Sequence, residues 1–387
     1  MNKVKHQFIS LVTIILLSGC INSKREPITS IEHKEQQAKE YTTIVEEMKQ
    51  SKGSSTIKLG ILLDTSNSMD NLIEQVKSQL WNIINQLSTA RKSNQNANIQ
   101  IALYQYGNDN LEKEQGYIEQ VLPLTDDLDL LSEKLFSLTT NGGEEYCGQV
   151  IEHATNELNW ENFGGLNLIF IAGNESFDQG KVHFKNTCNN ATNKDITINT
   201  IFCGDNYTGI NSYWKEGATI SEGNYFNIDM NQKTVYTSTP YDKDIEALND
   251  QLNNTYIPFG LSGKDKKSNQ IAQDYNSIGY GSANATSRII SKSSHLYNNS
   301  SWDLVDDKNQ SKIVLSDIKT EDLPEEMKSM NGIEKTKYIE EKSEKHFLNK
   351  KLSTTSTTTS YYIQFSYELQ SYLELYLDAP LQPPQRA

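Results

Sequence analysis

Cysteine is scarce, with four in 387 residues. That is too few to staple a disulfide scaffold, and no two stand in the CxxC pair that marks a zinc site. Positive charge is short as well: 36 Lys and Arg face 50 Asp and Glu, for a formal charge of -14. A chain this acidic lacks the basic face that phosphate binding needs, which excludes nucleic acid as the main partner. Long apolar runs are missing beyond the first twenty residues, and a mean hydropathy of -0.62 rules out a multispanning membrane protein. The sequence has no Ser-His-Asp motif set, no glycine-rich phosphate loop and no internal repeat. What is present, 36% hydrophobic and 9% aromatic residues, suffices for a core. The length allows two or three domains, or one of about 200 residues with extensions.

The first residues have the form of an export signal. Lys3 and Lys5 precede an apolar run at 8–17, and Leu17-Ser18-Gly19-Cys20 follows. The run is too short for a spanning helix of about 20 apolar residues. The tetrapeptide resembles the bacterial lipobox, so 1–19 is expected to be a lipoprotein signal peptide and Cys20 the lipidated residue. Several acyl chains, at ~0.8 kcal/mol per buried CH₂, hold such a chain on a membrane despite its acidity. Residues 20–55 are polar and rich in Lys and Glu, with one helix expected at 33–49, and form a lipidated tether. The expected location is the cell envelope. Ile21 replaces the aspartate that retains lipoproteins at the inner membrane in some bacteria, which favours an outer-membrane or surface position.

From Ile57 the pattern changes. Apolar or alternating runs at 57–63, 98–106, 117–124, 166–172, 196–203 and 225–228 predict strands. Helical periodicity appears at 70–87, 126–138, 145–158, 181–192 and 242–252. Strands alternating with helices imply an α/β domain over 56–254, with a doubly wound, mostly parallel sheet covered on both faces. Residues 255–350 are mostly polar and are expected to form a helical accessory extension, without a second core, at 265–297 and 323–349. Trp302 in SSWDLVD is expected to dock that extension, and 351–387 is expected to be a low-complexity tail opening on a serine–threonine run.

The first strand runs into Asp64-Thr65-Ser66-Asn67-Ser68 just before a helix. In an open α/β sheet ligands sit at the C-terminal ends of the strands. A carboxylate and two hydroxyls on one tight turn are hard oxygen donors, suited to Mg²⁺, Mn²⁺ or Ca²⁺. The competing reading is a turn in which Ser66, Ser68 or Asp70 only caps the helix.

Here the sequence resembles the von Willebrand factor A domain. IKLGILLDTSNSMD is similar to that family's first strand and the start of its metal-ion-dependent adhesion site. TTNGGEEYCGQVI, LIFIAGNESFDQG, NTIFCGD and WKEGATISEGNYFNID resemble a bacterial subgroup, and TYIPFG and SSWDLVD resemble an extension found there. The resemblance implies protein–protein binding or adhesion, often through a metal that bridges to an acidic group of the partner. It carries metal ligands over at Asp64, Ser66 and Ser68. Elsewhere the chain departs from the family. The threonine expected after a glycine pair is replaced by Glu144-Glu145, with Thr140 just upstream. The usual Thr-Asp-Gly becomes Ala172-Gly173-Asn174, so the aspartate position holds Gly173. Thr140, Glu144, Glu145, Asn174 and Glu175 are the remaining candidate ligands. Two forms of the site stay open, one holding an ion and one keeping only the binding edge.

The other chemistry-bearing residues point to no enzyme class. Cys147 and Cys203 both fall near the C-terminal edge and form the preferred disulfide pair, with Cys188–Cys203 as the alternative. His153 lies six residues beyond Cys147, about 1.7 helical turns, and faces largely away from it. Tyr104, Tyr106, Tyr146, Tyr207 and Tyr213 fall near the proposed binding edge, where tyrosine serves interfaces well. Trp160 and Trp214 are expected to pack between helix and sheet. The expected partner is a protein or matrix ligand, with a membrane held through lipid. The alternative is a metal-independent envelope scaffold acting through the C-terminal helices.

Overall fold

The computed structural model describes residues 56–88, 91–92, 95–161, 165–228, 242–308 and 313–361. The signal peptide, Cys20, the tether with its helix at 33–49, and the tail from 362 onward lie outside the described residues.

The strands are β1 (Thr56–Asp64), β2 (Arg91–Lys92), β3 (Gln95–Asn96), β4 (Asn98–Tyr106), β5 (Ile118–Thr125), β6 (Leu166–Gly173), β7 (Ile196–Cys203) and β8 (Tyr225–Ile228). β1 reads TIKLGILLD, and every residue after Thr56 is buried, because helices cover both faces of a central parallel strand. It pairs in parallel with β4 on one side and β6 on the other. β7 and β8 continue the parallel sheet, and β5 closes the far edge antiparallel to β4, giving the order β5-β4-β1-β6-β7-β8. The expected doubly wound, mostly parallel sheet is therefore present. β2 and β3 form a separate small hairpin that the sequence did not announce.

Each face carries its own apolar cluster, as the two-residue period of a strand requires. On one face Leu59, Ile61 and Leu63 pack against α1 (Ile73–Ser88) and α2 (Leu128–Ser137). Val76, Leu80, Ile83, Ile84 and Leu87 of α1 and Leu128, Leu131 and Leu135 of α2 recur at helical spacing and are buried there. On the other face Leu62, Ala102, Tyr104 and Tyr106 pack against α3 (Cys147–Glu157) and α4 (Phe184–Asn193). Trp160 and Trp214 belong to this second cluster, as expected. Two short helices absent from the sequence reading, α5 (Asn206–Asn211) and α6 (Trp214–Ile220), connect β7 to β8, and α7 (Asp242–Asn253) follows.

The C-terminal helices are α8 (Gly263–Gly279), α9 (Ser282–Ser293), α10 (Leu304–Lys308), α11 (Glu325–Lys328) and α12 (Gly332–Tyr361). The stretch expected at 265–297 is broken at Gly281, whose φ of 104° no helix tolerates. α12 runs past residue 350 through the serine–threonine run to Tyr361, so low-complexity composition does not end the helix there. Tyr256, Tyr297 and Trp302 share the apolar cluster of β1 and α1, with Trp302 docked as expected. Contrary to the reading of an extension without a core, Ile257, Leu304, Val305, Leu323, Met327 and Ile339 form a small one.

Polar contacts fix the helices further. Asn85 Nδ2 on α1 donates to Ser287 O at 3.0 Å, and Lys266 pairs with Asp127 at 2.6 Å. In the buried centre of this contact Arg288 donates to Asp129 of α2 and, at 3.0 Å, to Asp274 of α8. Lys292 reaches Asp274 at 2.7 Å, and Tyr297 donates to both oxygens of Asp129 at 2.8 and 2.7 Å.

Candidate functional site

β1 ends in Asp64, which is fully buried. The chain then turns sharply, and Ser66 N–H donates back to Asp64 Oδ1 at 2.8 Å. That turn brings the hydroxyls of Ser66 and Ser68 to 2.8 Å of each other. Ser68 Oγ donates to Asn174 Oδ1 at 2.8 Å, and Asn174 Nδ2 returns a bond to Ser68 O at 3.0 Å, which ties the end of β6 to the turn. Ser66 precedes the short 3₁₀ turn Asn67–Met69 without capping it through its side chain, so its hydroxyl is not spent on a helix start.

The loop before α3 is laid against these strand ends by its backbone. Asn141 N–H donates to Thr65 O at 3.0 Å, and Asp109 N–H donates to Gly142 O at 2.9 Å. Asn108 Nδ2 bridges Thr65 O at 3.2 Å and Thr139 O at 2.9 Å, a positioning role that the sequence reading missed. A polar residue directly after a strand and a glycine is the signal that could have found it. Gly107, at φ +77°, must be glycine for a further reason. A Cβ there would stand 3.0 Å from both Asp64 Oδ1 and Glu145 Cγ, and 3.5 Å from Ser66 Cβ. Asp64, Ser66 and Glu145 therefore close around one point.

The candidate ligands separate clearly. Glu145 is buried, with its Cγ at the point that Asp64 and Ser66 also border. Thr140 is turned to Asp70, to which it donates, and exposed Glu144 accepts from the Tyr146 hydroxyl. Asn174 joins the turn through Ser68. Glu175 is half-buried and acts on Glu145 through its charge. A Cβ on Gly173 would meet Tyr106 Oη at 2.6 Å, and Asp64 Oδ2 and Trp214 Cη2 at 3.0 Å, so a side chain at that strand end would have to displace buried neighbours.

Burial sets the electrostatics. It raises Asp64 to about 7 against the opposing hydrogen bonds from Ser66, with a smaller push from Glu145. It raises Glu145 likewise to about 7, with Glu175 adding to the push. Asp64 Oδ2 is buried and has no hydrogen-bond partner among the described residues. A buried carboxylate oxygen left bare is costly unless something outside the chain meets it. The donors around it are two carboxylates, two hydroxyls and an amide oxygen, and an all-oxygen set fits a hard divalent cation. Among the described residues no three His, Cys, Asp or Glu side chains group as a metal site, so the hydroxyls are essential to any coordination.

Two sequence expectations are corrected. Cys147, Cys188 and Cys203 are all free and buried. Cys147 lies in the cluster on the α3 and α4 face and Cys203 in the cluster on the α1 and α2 face, so the preferred Cys147–Cys203 bond is not formed. Burial also pushes the Cys147 thiol well above its ordinary range, which disfavours the thiolate a nucleophile needs. His153 pairs with Glu157 at 2.7 Å, and His183 accepts from Lys185 N–H at the start of α4. Tyr104 and Tyr106 are core residues, and Tyr106 Oη donates to Ala172 O at 3.1 Å. Of the five tyrosines assigned to the binding edge, Tyr207 at 75% and Tyr213 at 40% exposure are free to face a partner, and Tyr146 is half-buried.

The sheet order, with an oxygen-lined turn at the end of its central strand, defines a doubly wound α/β domain. Residues 59–251 match the family model of the von Willebrand factor type A domain, and the chain carries that domain. Such domains typically serve protein–protein interaction. Among solved structures, the chain is similar to the conserved hypothetical protein BatB from Bacteroides thetaiotaomicron, at 17% identity and a TM-score of 0.34, covering 45% of this chain and 90% of that one. It is similar to the SpRpn10 VWA domain at 14% identity and a TM-score of 0.35, covering 46% and 89%. It is also similar to proximal thread matrix protein 1 from the mussel byssus, whose structure has a zinc-occupied MIDAS motif. That match has 11% identity and a TM-score of 0.35, covering 46% of this chain and 43% of that one. A search of curated proteins gave no match.

Proposed function

We propose that this chain is a lipid-anchored protein of the bacterial cell envelope, held through Cys20, with the outer membrane or surface favoured. Its von Willebrand factor A domain binds a protein partner or matrix ligand at the C-terminal edge of the sheet through a divalent cation. The observation that carries this reading is the bare, buried Asp64 Oδ2 beside the Ser66 and Ser68 hydroxyls. Asp64, Ser66 and Ser68 would hold the ion, and Asn174 keeps Ser68 in place. The cation supplies a positive centre with a position open to a partner's carboxylate. Exposed Tyr207 and Tyr213 offer aromatic surface for contacts that set specificity.

The test is calorimetric titration of Mg²⁺, Mn²⁺ and Ca²⁺ into the wild type and Asp64→Ala, followed by partner capture with and without chelator. Saturable binding that Asp64→Ala abolishes supports the reading. A folded wild type that takes up none of the three ions refutes the ion-dependent form of it. Anchoring is checked by Cys20→Ser, which should move the protein from the membrane to the soluble fraction.

A second reading has its own observation. Ile333, Phe347, Leu348 and Leu352 of α12 are exposed, with Ile333 at 84% and Phe347 at 71%. They suit a metal-independent scaffold that works through the C-terminal helices. In that case Phe347→Glu, and not Asp64→Ala, ends partner capture.

A further inference from the structure

We propose that Glu145 is the second carboxylate of the ion site, taking the place of the aspartate that crowding disfavours at Gly173. The proposal rests on the ion-binding reading above and names a ligand that the motif register does not. By register, the residue after the glycine pair is Glu144. The structure turns Glu144 outward to the Tyr146 hydroxyl and buries Glu145.

Three observations place Glu145 at the ion. Its Cγ and Asp64 Oδ1 stand at the same 3.0 Å from the point above Gly107. Ser66, which carries one of the two hydroxyl donors, has its Cβ 3.5 Å from that same point. Asp64 Oδ2, buried and without a partner among the described residues, supplies the bare oxygen that a cation shared by the two carboxylates would meet. At the end of β6 the room is taken: Tyr106 Oη and the Trp214 ring fill the space a side chain on Gly173 would need. The negative charge has thus moved from the end of β6 to the loop before α3. The longer glutamate stem reaches in from there, held by the backbone bonds of Asn141 and Asp109. Two carboxylates facing one ion, whichever loop they come from, neutralise a divalent cation and favour its retention.

The test is Mn²⁺ binding by the full chain, read from the loss of the free-ion electron paramagnetic resonance signal at pH 7.5. Variants are Asp64→Asn, Glu145→Gln, Glu145→Asp, Glu144→Gln and Thr140→Ala, each checked for native circular dichroism. Glu145→Gln should weaken Mn²⁺ at least tenfold, and Glu145→Asp should fall between it and the wild type. Glu144→Gln and Thr140→Ala should stay within threefold of the wild type. Glu144→Gln removes the same charge from the adjacent residue and so controls for a long-range field. Equal losses in Glu144→Gln and Glu145→Gln would overturn ligation by Glu145. Loss in Asp64→Asn with Glu145→Gln unchanged would overturn the proposal and leave the ion site standing. No Mn²⁺ uptake by the wild type would overturn both.

Discussion

At the C-terminal edge of the sheet Asp64 and Glu145 are buried and make no ion pair among the described residues, whereas under the C-terminal helices Asp129 and Asp274 are buried against Arg288 and Lys292. Burial acts on the carboxylates of both regions in the same direction, but the outcomes diverge. It carries Asp64 and Glu145 up to about 7. At Asp274 burial pushes the same way, yet the charges of Lys292 and Arg288 override it and hold the group at about 2. Where the chain needs a joint, it supplies its own cations. At the sheet edge it leaves the carboxylates uncompensated, the setting that the proposed cation from solution would complete.

The largest effect is expected in the first joint to be broken. Arg288→Met removes a buried cation, leaving Asp129 to Tyr297 alone and Asp274 to Lys292, a type of loss that costs about 3–5 kcal/mol. Urea unfolding of this variant should show a midpoint shift of that size, while Asp64→Asn without added metal should show none or a gain. A loss below about 1 kcal/mol for Arg288→Met would mean that apolar packing of Tyr256, Tyr297 and Trp302 carries the joint alone.

pH should separate the two regions by sign. Asp64 moves from 3.8 when unfolded to about 7 when folded, so between those values the folded state binds the extra proton. Through Asp64 the ion-free protein therefore loses stability as pH rises from about 4 to about 7, by at most about 4 kcal/mol at about 1.4 kcal/mol per pH unit, and Glu145 adds a loss of the same sign. Asp274 runs the other way. Its contribution, about 2 kcal/mol, is present above pH 3.8 and is lost as pH falls toward about 2. Urea midpoints measured in chelator from pH 4 to 8 should fall for the wild type, fall less for Asp64→Asn, and flatten when Glu145→Gln is added to it. Added Mn²⁺ should restore the wild type above pH 7. A flat wild-type profile in chelator would end the contrast between the regions.

The sheet was legible because its signal is one-dimensional: TIKLGILLD is apolar at almost every position, and only a strand covered on both faces needs that. Asp64, Ser66 and Ser68 were legible for the same reason, since they stand two residues apart in one short stretch that begins at the strand's last residue. The rest of the site depends on distances across the sheet. Nothing in Gly142-Gly143-Glu144-Glu145 says which glutamate turns inward; Asn108 and Gly107, about 35 residues upstream, decide it through the bonds that lay the loop down. Tyr104 and Tyr106 were assigned to the edge by position along β4, but strand alternation puts both with Ala102 on the face that α3 and α4 cover. The joint under the helices was invisible because Asp129, Asp274, Arg288 and Lys292 belong to three helices and form no motif.

The smallest expected effect sharpens the contrast at a single atom. Gly173→Ala adds one methyl group where Tyr106 Oη would stand 2.6 Å away and Asp64 Oδ2 and the Trp214 ring 3.0 Å away. Tyr106 and Trp214 are buried and rigidly packed, and such overpacking typically costs about 1–3 kcal/mol. Chemical denaturation should show that cost, and Gly173→Asp should show at least as much. If Gly173→Asp instead folds with native stability and binds Mn²⁺ normally after Glu145→Gln is added, there is room for a carboxylate at the end of β6. The relocation of charge to Glu145 would then be a choice the sequence made without steric need. If both variants lose stability while keeping the fold, the packing of Tyr106 and Trp214 is what forces the second carboxylate onto the loop before α3.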